Sequence, residues 1–246
     1  TRYWRDWSSD VCSSDLALTV SQDASPKEGL SMESSLHQQL KEHYADTGKT
    51  EVRLGDYRID AIRDGELIEI QCASLSAIRK KCRVLLEKHK LRVVKPVVSR
   101  TRIAKCKKRG GKVSSRRLSP KRGSILEIFE EMMYLNGIFP HPNLVIEIPL
   151  VTIEERRVPR KKKTRWWQKD FQIEDVILES IDGIVELRDA EDLLTILQLP
   201  ANLDRFDTAV LADTIDRPRW FAQQVAYVLK KDRKSTRLNS SHANIS

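Results

Sequence analysis

The chain has 246 residues, 32% of them charged and 40% hydrophobic, with a net charge of +9. That length can bury a full core and suits one domain plus a smaller second one. The basic balance points to a polyanionic partner, with solubility alone as the plainer alternative, and no apolar run is long enough to span a bilayer.

The two ends stand apart. Residues 232–242 (DRKSTRLNSSH) back-translate to a common sequencing-adapter oligonucleotide, and residues 5–16 (RDWSSDVCSSDL) are essentially the same string read from its opposite strand. Residues 1–16 and 232–246 are therefore expected to be artefactual and to pack little. They contribute −1 and +2, so a charge of +8 belongs to the rest. Of the four cysteines, Cys12 falls in this material, and Cys72, Cys82 and Cys106 are odd in number and lack the close pairing of a zinc site. With no secretory signal read, the expectation is a reduced, cytoplasmic protein with no membrane partner.

In chain order, residues 34–45 read as a helix, with Leu36, Leu40 and Tyr44 at four-residue spacing. Residues 51–54, 57–62 and 66–72 read as strands, the last two joined by the hairpin signal Asp64-Gly65. Ser74 is placed to cap a helix through residue 88, with Ile78, Cys82, Leu85 and Leu86 as its apolar stripe. The β-branched run 91–98 reads as a buried strand. Residues 100–122 read as a basic loop and 124–137 as a helix. Residues 144–158 read as one or two strands, 160–169 (RKKKTRWWQK) as a second basic loop, 171–187 as strand and 190–231 as helices. The expected division is an α/β domain over 32–187 and a helical module over 188–231.

The sharpest chemical signal is YRIDAIRDGELIEIQ, residues 57–71. A two-residue turn at Asp64-Gly65 sets Arg63 against Glu66, Ile62 against Leu67, Asp60 against Glu69 and Arg58 against Gln71. By alternation, Tyr57, Ile59, Ala61, Ile68, Ile70 and Cys72 form a core face, while Asp60, Glu69 and Gln71 share the other. Carboxylates directly opposed repel each other. Such a pair is most easily kept where a cation lies between, and hard oxygens suit Mg²⁺ or Mn²⁺. A solvated polar strand edge, with Arg58 forming surface ion pairs, is the plainer alternative.

This constellation resembles the PD-(D/E)XK, restriction-endonuclease-like nuclease superfamily, and within it the Holliday-junction-resolvase type. The resemblance covers about residues 34–98, in the order helix, three strands, helix, strand. It implies a mixed sheet flanked by helices and Mg²⁺-dependent hydrolysis of DNA. Asp60 matches the family's aspartate, and Glu69-Ile70-Gln71 stands where the family has E-x-K. Asp60 and Glu69 would hold the metal and Gln71 would orient water. The missing lysine's charge could be supplied by Arg79, Lys80 or Arg83 on the next helix, and Glu42 could match a first-helix glutamate.

Further features suit nucleic acid, beginning with the basic stretches 100–122 and 160–169, both suited to phosphate backbones. Arg160, Lys161, Lys162, Lys163 and Arg165, with the stacking-competent Trp166, are fitted to phosphates and unpaired bases. Residues 206–231 resemble a truncated helix-turn-helix or winged helix, with Asp207 as cap and Val210, Leu211 and Ile215 facing inward. In its last helix Ala222, Val225, Ala226 and Leu229 face inward, while Arg219, Gln223, Gln224, Tyr227 and Lys230 remain outward. The expectation is a Mg²⁺-dependent DNA endonuclease. The alternatives are a non-catalytic DNA-binding protein on the same fold or an RNA-associated protein, and a homodimer is left open.

Overall fold

The computed structural model describes residues 34–45, 50–161, 169–199, 205–235 and 244–245. Helix α1 (Ser35–Tyr44) forms on the expected stripe, and Leu36, Leu40 and Tyr44 are all buried. Strands β1 (Thr50–Leu54), β2 (Tyr57–Arg63) and β3 (Glu66–Ile70) follow as an antiparallel meander. Asp64 and Gly65 sit at φ 50° and 76°, the pair of positive values that a type I′ hairpin turn requires. Arg63 accordingly faces Glu66, Ile62 faces Leu67 and Ala61 faces Ile68.

Ser74 caps a 3-10 turn, Leu75–Ile78, that leads into α2 (Arg79–Leu85). Strand β4 (Leu91–Val94) then runs parallel to β3. After Lys95-Pro96 the chain re-enters the sheet as β5 (Val97–Cys106), which pairs antiparallel with β6 (Val113–Leu118). The basic segment 100–122 is thus a hairpin and not the loop its composition suggested. Ile103, Ala104 and Cys106 are buried while Arg102 and Lys105 are exposed, so the basic residues form the outer face of a half-buried strand. Residues 124–137 yield only one short α-helix, α3 (Ile128–Met132), between 3-10 turns. Strands β7 (Leu144–Pro159) and β8 (Phe171–Leu187) pair antiparallel from Ile146–Leu187 to Pro159–Phe171. The chain then forms α4 (Ala190–Leu197), α5 (Thr208–Thr214) and α6 (Arg219–Ser235).

The architecture is α/β, with an eight-stranded mixed sheet in the order β1-β2-β3-β4-β7-β5-β6 and β8 on the free edge of β7. Strand β7 organises it: β4 lies beside its first residues and β5 beside its later ones. Alternation along β3 assigns the layers. Leu67 packs with α2 and α3, whereas Ile68 and Ile70 pack with α1. Both faces of the inner strands are covered, which is why β4 is buried at all four positions.

Helices α4, α5 and α6 add Leu193, Leu211, Phe221, Val225 and Leu229 to the same cluster as α2 and α3. The boundary expected at residues 187–188 is therefore not a break in the core. Val210, expected inside, is exposed, while Leu211 and Ile215 are buried. Helix α6 also runs past residue 231 to Ser235, and Asn244–Ile245 (β10) pairs with Arg205–Phe206 (β9). Residues 1–16 lie outside the described residues. No helix among the described residues is long and apolar enough to cross a membrane.

Candidate functional site

The β2–β3 hairpin is regular only near its turn. Its last backbone rung is Ala61–Ile68. Beyond that rung the strands splay, and the Asp60 carboxylate fills the gap by accepting the Ile70 N–H at 2.8 Å. The alternation expected from the sequence breaks here. Ile59 packs on the α2 side while Ala61 and Ile70 pack on the α1 side. The expected arrangement, with Asp60 and Glu69 as a simple cross-strand pair on one face, is accordingly corrected. Asp60 is held by α1 and Glu69 by α2, at the open end of the hairpin.

Each carboxylate has a cation from a different layer. On α1, Lys41 is only 3% exposed and places its Nζ 3.3 Å from Asp60 Oδ1 and 3.1 Å from Glu51 Oε1. One turn earlier, His37 Nε2 lies 3.5 Å from Asp60 Oδ2. On α2, Lys81 Nζ lies 2.5 Å from Glu69 Oε2 and also donates to the Arg58 carbonyl. Glu51 falls across from Asp60, between the Thr50–Ala61 and Val52–Ile59 pairs. Its φ of 62° is in the left-handed region, which costs a non-glycine residue on the order of 1 kcal/mol.

These surroundings drive the two acids apart. Burial pushes Asp60 up, but the His37 contact, the Ile70 N–H and the Lys41 charge outweigh it and hold its carboxyl below the ordinary range. Burial and the nearby Asp60 charge push Glu69 up, and Lys81 only partly offsets them. Asp60 is thus a stabilised anion, and Glu69 is an acid whose ionised form lacks enough positive charge around it.

Several expected site residues lie elsewhere. Gln71 turns its Oε1 back onto the Ala73 N–H at 3.0 Å, because the strand ends at Ile70 and the chain bends away. Glu42 is exposed and bonds Gln38, off the buried stripe of α1. Arg58 pairs with Glu51. Arg79 donates to the Asn136 carbonyl at 3.2 Å, and Lys80 and Arg83 are exposed, so Lys81 is the α2 cation that reaches Glu69. The sequence reading missed His37, Lys41, Glu51 and Lys81. A signal was present in the spacing: His37 and Lys41 are four apart on the flank of the Leu36–Leu40 stripe, and Lys81 adjoins buried Cys82.

Among the described residues, no group of three His, Cys, Asp or Glu is arranged to hold a metal ion. Asp60 and Glu69 offer two hard-oxygen ligands, and Mg²⁺ can be bound by one or two carboxylates with waters and substrate phosphate.

Of the expected nucleic-acid contacts, Lys162, Lys163, Arg165 and Trp166 lie outside the described residues. Lys161 is exposed and Arg160 half-buried, and the Arg160 backbone N–H donates to the Asp170 carbonyl at 2.9 Å. On α6, Arg219 and Gln223 are exposed and Gln224 is half-buried. Tyr227 is exposed, but its hydroxyl accepts from Asn136 at 3.0 Å, which turns that side chain toward the body of the protein and away from an outer reading face.

A protein of Treponema pallidum (strain Nichols), described as "Uncharacterized protein", is 30% identical over 149 residues, 60% of this chain and 59% of that protein. The chain therefore spans less than two thirds of that relative's length. No solved structure matches. The family described as "Domain of unknown function (DUF8091)" matches residues 34–188, from the α1 cap to the end of β8, enclosing both carboxylates and their lysines. With more than half its length matched in this way, the chain belongs to that family.

Proposed function

We propose that the chain is a metal-dependent phosphodiester hydrolase acting on DNA, with a restriction-endonuclease-like core formed by α1, β1–β3, α2 and β4. The observation that carries this reading is that Asp60 and Glu69 lie near enough at the splayed end of the β2–β3 hairpin for the Asp60 charge to raise Glu69, with Lys81 paired to Glu69. The order of elements and the parallel β3–β4 pair support it. Asp60 and Glu69 would hold Mg²⁺ or Mn²⁺, which supplies a polarised phosphate and a more acidic bound water. Lys41 and His37 keep Asp60 ionised and oriented. Lys81 carries the charge that Gln71 lacks. Released from Glu69, its ammonium would face the oxygens of the phosphate under attack, where a fixed cation stabilises developing negative charge. Helices α5 and α6, read as helix-turn-helix-like, would add contacts through Arg219 and Gln223, and the free thiols Cys82 and Cys106 suit a reduced, cytoplasmic setting.

The test is single-turnover cleavage of duplex, branched and single-stranded DNA with Mg²⁺ and with chelator. Metal-dependent cleavage by wild type, lost in Asp60→Asn, is the expected result. Absence of cleavage on every form, together with absence of divalent-ion binding, ends the hydrolase reading. A second reading has its own observation: Asp60 and Glu69 already carry ammonium partners. On that reading the lysines stand permanently in place of a metal, and the fold serves only to bind DNA.

A further inference from the structure

The turn between β5 and β6 is tightly specified. The Gly111 N–H bonds the Lys108 carbonyl at 3.0 Å, and Gly110 at the third turn position has φ 64°, as a type II turn requires. A Cβ on Gly111 would lie 2.8 Å from the Lys108 oxygen. Two consecutive glycines therefore let the chain fold tightly enough to gather Lys107, Lys108 and Lys112 around one hollow. Its volume is about 530 Å³, and Gly111, Val113 and Ser114 complete the lining. Three exposed lysines thus border this space, and among the described residues no carboxylate is part of its lining.

The turn is also fixed in place. The Gly110 N–H donates to Glu174 Oε1 on β8 at 2.6 Å. Because β5 and β7 run parallel, the β5–β6 turn and the end of the β7–β8 ribbon lie at the same end of the sheet. Lys161 and Lys169 are exposed there. Helix α1 ties this end to the carboxylates. Ser35 bonds Asp175 through its N–H at 3.0 Å and its hydroxyl at 2.5 Å, and Asp175 pairs with Arg156 on β7. His37, beside Asp60, is only two residues further on, about 3 Å of helix rise.

We infer that the lysine hollow of the β5–β6 turn is a phosphate-backbone site for duplex DNA, holding the polymer whose scissile bond lies at Asp60 and Glu69. This inference rests on the reading of the chain as DNA-acting. Clustered ammonium groups suit the dense, regular charge of a duplex. The hollow's described lining is lysine and small residues with no aromatic ring, which suits backbone charge contacts over the base stacking of single-strand sites.

The experiment measures binding of a fluorescent duplex of about thirty base pairs across a salt titration, in chelator so that cleavage plays no part. It compares the full chain with Lys107→Ala/Lys108→Ala/Lys112→Ala. Each phosphate contact contributes roughly 0.9 to the log–log salt slope. The slope of the triple variant should be shallower by about two to three, with the melting temperature unchanged. Lys121→Ala/Arg122→Ala, also exposed, should leave slope and affinity as in wild type. An unchanged slope in the triple variant overturns the assignment. So does wild-type binding to single-stranded DNA, duplex RNA or a sulfated polysaccharide as tight as to the duplex. Loss of the hydrolase reading with the slope change intact removes the nuclease and leaves this site standing. Cleavage with an unchanged slope removes this site alone.

Discussion

In metal-free protein, Asp60→Asn and Glu69→Gln should change stability in opposite directions. Asp60 accepts the Ile70 N–H at 2.8 Å and sits 3.3 Å from Lys41, whose ammonium is almost wholly buried. An asparagine keeps an acceptor for Ile70 but leaves Lys41 with Glu51 alone. Hydrogen bonds to charged groups contribute about 1.5–3 kcal/mol each, so a loss of about 2 kcal/mol is expected. In a domain of this size that lowers Tm by about 4–8 °C. The pH dependence follows from the sign of the shift. Asp60 titrates below its ordinary 3.8 in the fold, so its contribution is present above that value and is lost as pH falls through the folded pKa. Glu69 is shifted the other way, above 4.5. Its favourable contribution belongs to the protonated form, is present below 4.5 and is lost as pH rises through the folded pKa. As pH rises toward neutrality Glu69 therefore works against folding, and Glu69→Gln should raise Tm. Thermal melts of wild type and both variants between pH 3 and 8, in chelator, read both effects. A Tm for Asp60→Asn equal to or above wild type at neutral pH would refute the account of Asp60 as a stabilised anion.

Lys81→Ala should lower single-turnover cleavage by about a hundredfold, the scale seen when one charge-stabilising donor is removed, while duplex binding in chelator stays the same. Gln71→Lys should change cleavage by less than about threefold, because Gln71 folds back onto Ala73 and Lys81 already supplies the charge; a large gain in rate would instead place the missing cation at position 71. Arg92→Met should cost about 3–5 kcal/mol, the range for stranding a buried partner charge. Arg92 joins Glu66, Glu147 and Glu186 beneath α1, and urea unfolding that shows a loss under about 1 kcal/mol would count against that role.

What could be read from the sequence followed from local chemistry. The Asp64-Gly65 turn alone sets the register of the first hairpin, because both residues tolerate positive φ. The stripe Ile78, Cys82, Leu85 and Leu86 predicts a buried face whatever lies opposite. Residues 100–122 were misread because a strand with a basic outer face looks like a loop by composition. Its inward partners, Ile103, Ala104 and Cys106, are too few to dominate the segment. The break in alternation at Asp60 was hidden for a different reason. It depends on Glu51 adopting a left-handed backbone and on α1 and α2 pulling from opposite layers, and neither is encoded in residues 57–71. The lysines on the acids were missed because Lys41 and Lys81 border apolar stripes, where a cation normally reaches solvent along its aliphatic stem.

Of the buried charge clusters among the described residues, the one at Arg92 and the one at Asp60 and Glu69 differ in a way that separates a structural knot from a candidate site. At Arg92 one guanidinium meets three carboxylates, with Tyr44 donating to Glu147 as a further partner. The geometry is closed, and a rigid guanidinium fork suits such a fixed node. At Asp60 and Glu69 each acid has its own lysine, with His37 also beside Asp60, one acid is shifted down and the other up, and the hairpin is splayed so that a side chain replaces a backbone rung. Unlike environments on neighbouring acids are what acid–base and metal sites need. A knot built only for stability has no use for a carboxylate whose charge the fold disfavours. The left-handed Glu51 adds a local cost at the same point, and conformational costs tolerated beside unequal acids are more consistent with a working site than with packing alone.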